Sequence, residues 1–140
     1  MKLRLQSNSI RLRLKRSEVD RFLRTGRVEE RIVSGTDDQK SFRYLLETND
    51  AVSAPKGSIA PGSVIVQVPT ADALKWALTN QIGIEGEQTI DSNTSLRILV
   101  EKDFACLDGS EEQNADTFPN PLAGQKCCQI GCVLPLTQKL

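Results

Sequence analysis

The chain has 140 residues, 39% of them hydrophobic and 26% charged. That is enough apolar material for one packed domain, and it argues against a disordered chain. Lysine plus arginine balance aspartate plus glutamate at 18 each, and histidine is absent. The neutral balance disfavours a nucleic-acid partner, and the missing histidine removes the usual general base near neutral pH and the commonest metal ligand.

In chain order, Lys2–Gln6 alternates cations with leucines and predicts a strand, turned through Gln6-Ser7-Asn8-Ser9 into a second strand. In that second strand Ile10, Leu12 and Leu14 face one way, while Arg11 and Arg13 face the other. Ser17 is the expected N-cap of a short helix, with Asp20 in the capping-box position. Val19, Phe22 and Leu23 share that helix's apolar face, and Gly26 ends it. Strands follow at Arg27–Val33 and Ser41–Thr48. The segment Asn49–Pro61 reads as a linker with room for a short edge strand. Ser63–Val68 is the next strand, and a helix capped by Thr70 comes after it. In this second helix Ala73, Leu74, Ala77 and Leu78 share the apolar face, Trp76 packs on the sheet, and Asn80 closes it. Strands are expected at Gln81–Glu85 and Ser95–Lys102. Beyond Phe104 periodicity fades; Asp116–Pro121 reads as a rigid turn that pins Phe118.

Shifting the chain by 54 positions lays Ser9–Leu14 on Ser63–Val68 and Ser41–Glu47 on Ser95–Glu101 without a gap. The fold class expected is therefore α+β. Two β-α-β-β repeats, about 9–48 and 63–102, would pack about a pseudo-two-fold axis in mostly antiparallel sheet, with an additional N-terminal hairpin strand. One duplicated domain would span 1–121, followed by a cysteine-containing tail at 122–140. Pairing of the last strand of each repeat would set Leu45 against Leu99, Arg43 against Glu101 and Arg97 against Glu47.

Charge is spread unevenly. Positions 1–16 hold six cations and no acid, whereas positions 101–116 hold six acids and one lysine. The two stretches either neutralise one another or each meets a partner. Arg11, Arg13, Arg43, Arg97, Glu47 and Glu101 are the candidate ligand-binding residues, because they project from one face of strongly patterned strands. Asp103 and Cys106 are weaker candidates for holding a metal. Cys127, Cys128 and Cys132 complete the set of four cysteines, but adjacent Cys127 and Cys128 suit one ion poorly. No cofactor motif is present, no apolar run is long enough for a membrane span, and the charged N-terminus does not read as a signal peptide; a cytoplasmic location is expected.

Leu99–Leu107 (LVEKDFACL) and Asp116–Pro121 (DTFPNP), with Asn8–Leu14, Arg27–Glu30 and Gln81–Glu85, resemble a small bacterial family described only as a domain of unknown function. The likeness covers about the first 121 residues and implies no activity, cofactor or catalytic residue. At fold level the duplicated unit is similar to the paired modules of the glyoxalase and bleomycin-resistance superfamily. That resemblance implies metal ligands on module strands, where this chain offers Glu47 and Glu101 without histidine, so a metal-free binding member is the nearer analogy. The functional expectation is a non-catalytic binding or accessory domain for a small anionic ligand or a protein partner. The alternative is a small enzyme, metal-assisted through carboxylates near Glu101 or thiol-dependent through Cys106.

Overall fold

A computed structural model of the chain describes residues 1–105 and 114–122. They fall into two compact units, Met1–Asp103 and a second that begins at Phe104. The first unit holds eight strands and two α-helices. In order they are β1 (Lys2–Gln6), β2 (Ser9–Leu14), α1 (Arg16–Thr25), β3 (Arg27–Val33), β4 (Ser41–Thr48), β5 (Lys56–Ala60), β6 (Ser63–Val68), α2 (Thr70–Leu78), β7 (Gly83–Asp91) and β8 (Thr94–Lys102). A short 3-10 turn, Asp38–Lys40, precedes β4.

The strands make two mostly antiparallel four-stranded sheets, β1-β2-β8-β7 and β3-β4-β6-β5. Each sheet joins two antiparallel hairpins through one parallel seam, β2 with β8 and β4 with β6. The hairpin turns obey local chemistry. Ser7 and Asn8 both take positive φ, as the tightest two-residue turn requires, and Gly62 supplies the positive φ between β5 and β6. The register of β1 on β2 (Lys2 with Arg13) recurs in β5 on β6 (Lys56 with Gln67). That of β2 on β8 (Ser9 with Arg97) recurs in β6 on β4 (Ser63 with Arg43).

Alternation along the strands gives each sheet an inner, apolar face and an outer, charged one. Ile10, Leu12 and Leu14 of β2, Ile98 and Val100 of β8, Val64, Val66 and Val68 of β6, and Leu46 of β4 are all buried. The two sheets press together through these faces: a Cβ on Gly57 of β5 would lie 3.0 Å from both Ile10 and Leu96. Phe22 of α1 and Trp76 of α2 complete the core with rings edge to face, centroids 6.3 Å apart. The Trp76 indole N–H donates to the Ile82 carbonyl at 3.0 Å, so its one polar atom is satisfied.

Several sequence expectations are corrected here. β4 and β8 lie in different sheets, so Leu45 does not face Leu99, and neither Arg43–Glu101 nor Arg97–Glu47 forms a pair. The parallel seams win because each helix carries the chain from one sheet to the other. The N-cap of α1 is Lys15 rather than Ser17: the Glu18 carboxylate accepts the Lys15 N–H at 2.8 Å, which starts the helix earlier. Thr70 is the first helical residue of α2 and Pro69 its cap. Gly26 ends α1 in the left-handed region as expected. Asn80 has no such role: α2 ends at an extended Thr79, whose carbonyl takes the Lys102 Nζ at 2.7 Å. On α2 the buried residues are Ala73 and Trp76, while Leu78 is 70% exposed. The bulk of Trp76 decides which face turns inward. The linker strand expected before Pro61 is β5, and β7 extends to Asp91 because a two-residue turn suffices to reach β8.

In the second unit Phe104 and Phe118 form a parallel bridge with their rings in edge contact, and Asn120 Nδ2 donates to the Ala105 carbonyl at 2.7 Å. Phe118 is thus held by Phe104. Cys106, Cys127, Cys128 and Cys132 lie outside the described residues. Among those described, no helix is long and apolar enough to cross a membrane.

Gly57→Val tests the contact between the sheets. Its branched side chain must displace Ile10 and Leu96, and overpacking of this kind costs about 1–3 kcal/mol. Thermal unfolding should show a lower melting temperature; an unchanged one would mean the sheets are not packed closely at this point.

Candidate anion-binding face

Outer-face residues of the first sheet lie in rows across the strands. One row runs Lys2, Arg13, Glu101, Gly83; the next Arg4, Arg11, Leu99, Glu85; the third Gln6, Ser9, Arg97, Glu87. Cations therefore gather on β1 and β2, acids on β7, and β8 carries both.

The β2–β8 seam brings three of the sequence candidates together. Glu101 Oε1 receives Arg11 Nη2 at 2.7 Å, Arg11 Nε at 2.9 Å and Arg13 Nε at 2.9 Å. The carboxylate is largely covered, its side chain 13% exposed, while the two arginines stay about a third exposed. Charge-assisted bonds in such partial shelter are stronger than neutral ones. Asp103, nearly buried at the end of β8, takes Lys2 Nζ at 3.3 Å. Lys2, Arg11 and Arg13 of the basic N-terminal stretch thus pair with Glu101 and Asp103 at the start of the acidic one, within the first unit.

Arg97 is different. It is exposed, and its guanidinium has no hydrogen bond or ion pair among the described residues. Its cross-strand neighbour Glu87 bonds Ser95 Oγ at 2.6 Å instead. Around Arg97 lies an open hollow of about 470 Å³ lined by Ser9, Arg11, Glu85, Glu87 and Leu99 among others. Arg11 spends only part of its five-donor fork on Glu101, so two guanidinium groups border one hollow with donors to spare.

The remaining candidates sit on the second sheet. Glu47 accepts Gln67 Nε2 at 2.7 Å, and Arg43 Nη1 lies 3.5 Å from Glu29. They do not join Arg11 and Arg97. Sequence reading missed Ser9, Glu85 and Glu87 as lining residues. The alternation Gly83-Ile84-Glu85-Gly86-Glu87 carried the signal, and ending the strand at Glu85 hid Glu87. Among the described residues, no three histidine, cysteine, aspartate or glutamate side chains come together as metal ligands.

Lys102 and Glu18 are the charged core residues the sequence did not single out; both are 6% exposed. Glu18 meets the Met1 amino group as well as the Lys15 N–H. Burial holds the Lys102 ammonium below the usual lysine range. The phenol of Tyr44, which donates to the Met1 carbonyl at 2.8 Å, is pushed up by burial and by Glu30 and Glu18.

Two measurements follow from this geometry. Glu101→Gln keeps the shape but removes the charge shared by Arg11 and Arg13, and should lower unfolding stability by about 1–2 kcal/mol. Denaturant unfolding reads this directly, and no loss would show the cluster to be decorative. For Lys102, the folded state releases its proton at lower pH than the unfolded chain does. Unfolding therefore takes up a proton between the two pKa values, and stability rises with pH across that window. Wild type should gain in melting temperature relative to Lys102→Met as pH climbs from neutral toward about 10.4. A difference that stays flat would overturn the assignment.

No curated protein and no solved structure matches the chain. A family model does, over residues 1–122, and by that match this chain belongs to DUF7009, a family of unknown function.

Proposed function

We propose that the domain is a non-catalytic binding module that holds a small anionic molecule on the outer face of its first sheet, against Arg97. The observation that carries this is the unpartnered Arg97 guanidinium in an open hollow, beside an Arg11 whose donors are only partly used. A carboxylate or phosphate group matches the fork geometry of arginine. Glu85 and Glu87, across the same hollow, suit a ligand that also carries hydroxyl or amino donors. Leu99 supplies an apolar floor between them.

An internal duplication belongs to the same proposal. β1, β2 and α1 precede β5, β6 and α2 by the same 54 positions, and the strand registers repeat with them. In this reading each sheet takes its first hairpin from one repeat and its second from the other, so the repeat unit is β-β-α-β-β. The hollow then lies where the repeats meet, with Ser9 and Arg11 from one and Arg97 from the other. A glyoxalase-like pairing of modules is not needed for it. A bacterial source is what the family resemblance implies, and a cytoplasmic location is what the charged N-terminus and the lack of a long apolar run suggest.

The enzymatic alternative has less support. Glu101 already serves two guanidinium groups and Asp103 a lysine, which suits structural neutralisation better than metal binding or proton transfer.

Thermal unfolding with citrate, malonate or inorganic phosphate tests the binding reading. One of these probes should raise the melting temperature of the wild type, since a ligand at a hundred times its Kd adds about 2.7 kcal/mol. Arg97→Ala should abolish that rise while leaving the ligand-free melting temperature within about a degree, because the residue is exposed and unpaired. Stabilisation that survives in Arg97→Ala would remove the hollow from the site, and no response to any probe would count against the module as a binder of simple anions.

A further inference from the structure

The outer face of the second sheet poses a different electrostatic problem. Arg31 of β3 stands directly opposite Arg43 of β4 in the antiparallel register. Like charges in that relation destabilise a sheet. On the far side of Arg43 the same row continues with Ser63 of β6 and Ala60 of β5. Ser63, with Pro61 and Gly62 of the preceding turn, borders a hollow of about 340 Å³ next to the guanidinium groups.

Of the acids bordering this hollow, Glu29 and Asp38, only Glu29 pairs with one of the two arginines, and it offsets the repulsion in part. Glu29 is bound closely by Arg27 at 2.7 Å and stands 3.5 Å from Arg43 Nη1. Arg31 Nη2 has only a long contact, 3.4 Å, to Ser41 Oγ. Two forks of five donors each therefore face one open space with most of their donors unused.

We propose that this hollow is a second anion site, separate from the one at Arg97, and that it takes a phosphate or pyrophosphate group. A carboxylate offers two oxygens and one charge. A phosphate presents three terminal oxygens and up to two charges, enough to engage both guanidinium groups at once and to neutralise their mutual repulsion. The hydroxyl of Ser63 adds a donor on the other side. Where the first hollow has Glu87 in the outer strand of its row, this one has Arg31, and that exchange of sign shifts preference toward the more highly charged anion. Such a group reaches the site either on a soluble molecule or on a lipid headgroup.

Pyrophosphate titrated into the full chain, followed by backbone amide shifts, tests the proposal. Saturable shifts are expected at Gly62, Ser63 and Arg43. Arg31→Gln should weaken the affinity about tenfold or more, as loss of a charge-assisted contact does. Without ligand the same variant should hold or raise the melting temperature, by up to about 3 °C, because the opposed charges are gone. A residue with a merely structural role would lower it. Co-sedimentation with phosphatidate-containing vesicles identifies the source: binding to vesicles that Arg31→Gln abolishes, without a response to pyrophosphate, assigns the site to a headgroup. The proposal falls if neither probe binds, or if Arg31→Gln binds as the wild type does. The Arg97 reading stands or falls separately, since its residues are on the other sheet.

Discussion

The parallel seam between β2 and β8 is the constraint on which the first unit depends. Its two strands are separated by most of the chain, and they meet because α1 and α2 each carry the backbone from one sheet to the other. Four hairpins are local and cheap in loop entropy; the two seams are not. What makes the β2–β8 seam hold is visible on both of its faces. Inside, Ile10, Leu12 and Leu14 lie beside Ile98 and Val100 with almost no exposure. Outside, Arg11 and Arg13 close on one oxygen of Glu101. The hollow around Arg97 exists only because this seam sets Ser9 beside Arg97.

A formal charge of zero conceals this arrangement. Charges are sorted by strand, with cations on β1 and β2, acids on β7, and β8 between them. Within a sheet the distances are a few ångströms, well inside the screening length at physiological salt, so the local field differs from the neutral average. Glu101 sits where the cations are and is consumed by them. Arg97 sits two rows away, where the nearest cross-strand acid bonds a serine instead. Two charged residues on the same face of one strand thus differ: the one is engaged by its neighbours, and the other has no partner among the described residues.

Much of the secondary structure was legible because period-two alternation is a local signal. The strands at Ser9–Leu14, Arg27–Val33, Ser41–Thr48 and Ser63–Val68 stand where alternation put them. The face of α2 was misread because Leu74 and Leu78 score as core residues on hydrophobicity alone, whereas the volume of Trp76 takes the inward position. Helix caps were displaced by partners distant in sequence or by a carboxylate one turn on, as with Lys102 at Thr79 and Glu18 at Lys15. Strand partnership was the largest loss. Nothing local in Ser41–Thr48 says whether it meets Ser95–Lys102 or Ser63–Val68, and the Arg-Leu-Glu spacing that suggested the first option is equally satisfied by outer faces on separate sheets. Alternation places Arg97 and Glu101 on one strand face, but only the register shows that Glu101 meets Arg11 and Arg13 while Arg97 stands beside Ser9.

The site proposed at Arg97 lies on paired strands, and that has an energetic consequence. Backbone positions in the middle of a four-stranded sheet are already ordered by their ladders, so a ligand there does not have to order a loop on arrival. The side chains that would meet it come from the outward positions, while the inward ones at the next residue carry the core. Changing Arg97, Glu85 or Ser9 therefore alters the charge and shape of the face without touching Ile98, Ile84 or Ile10 beneath it. The period of two that builds the core from alternate residues leaves the other half of each strand free to vary in chemistry, and the hollow at Arg97 occupies that half.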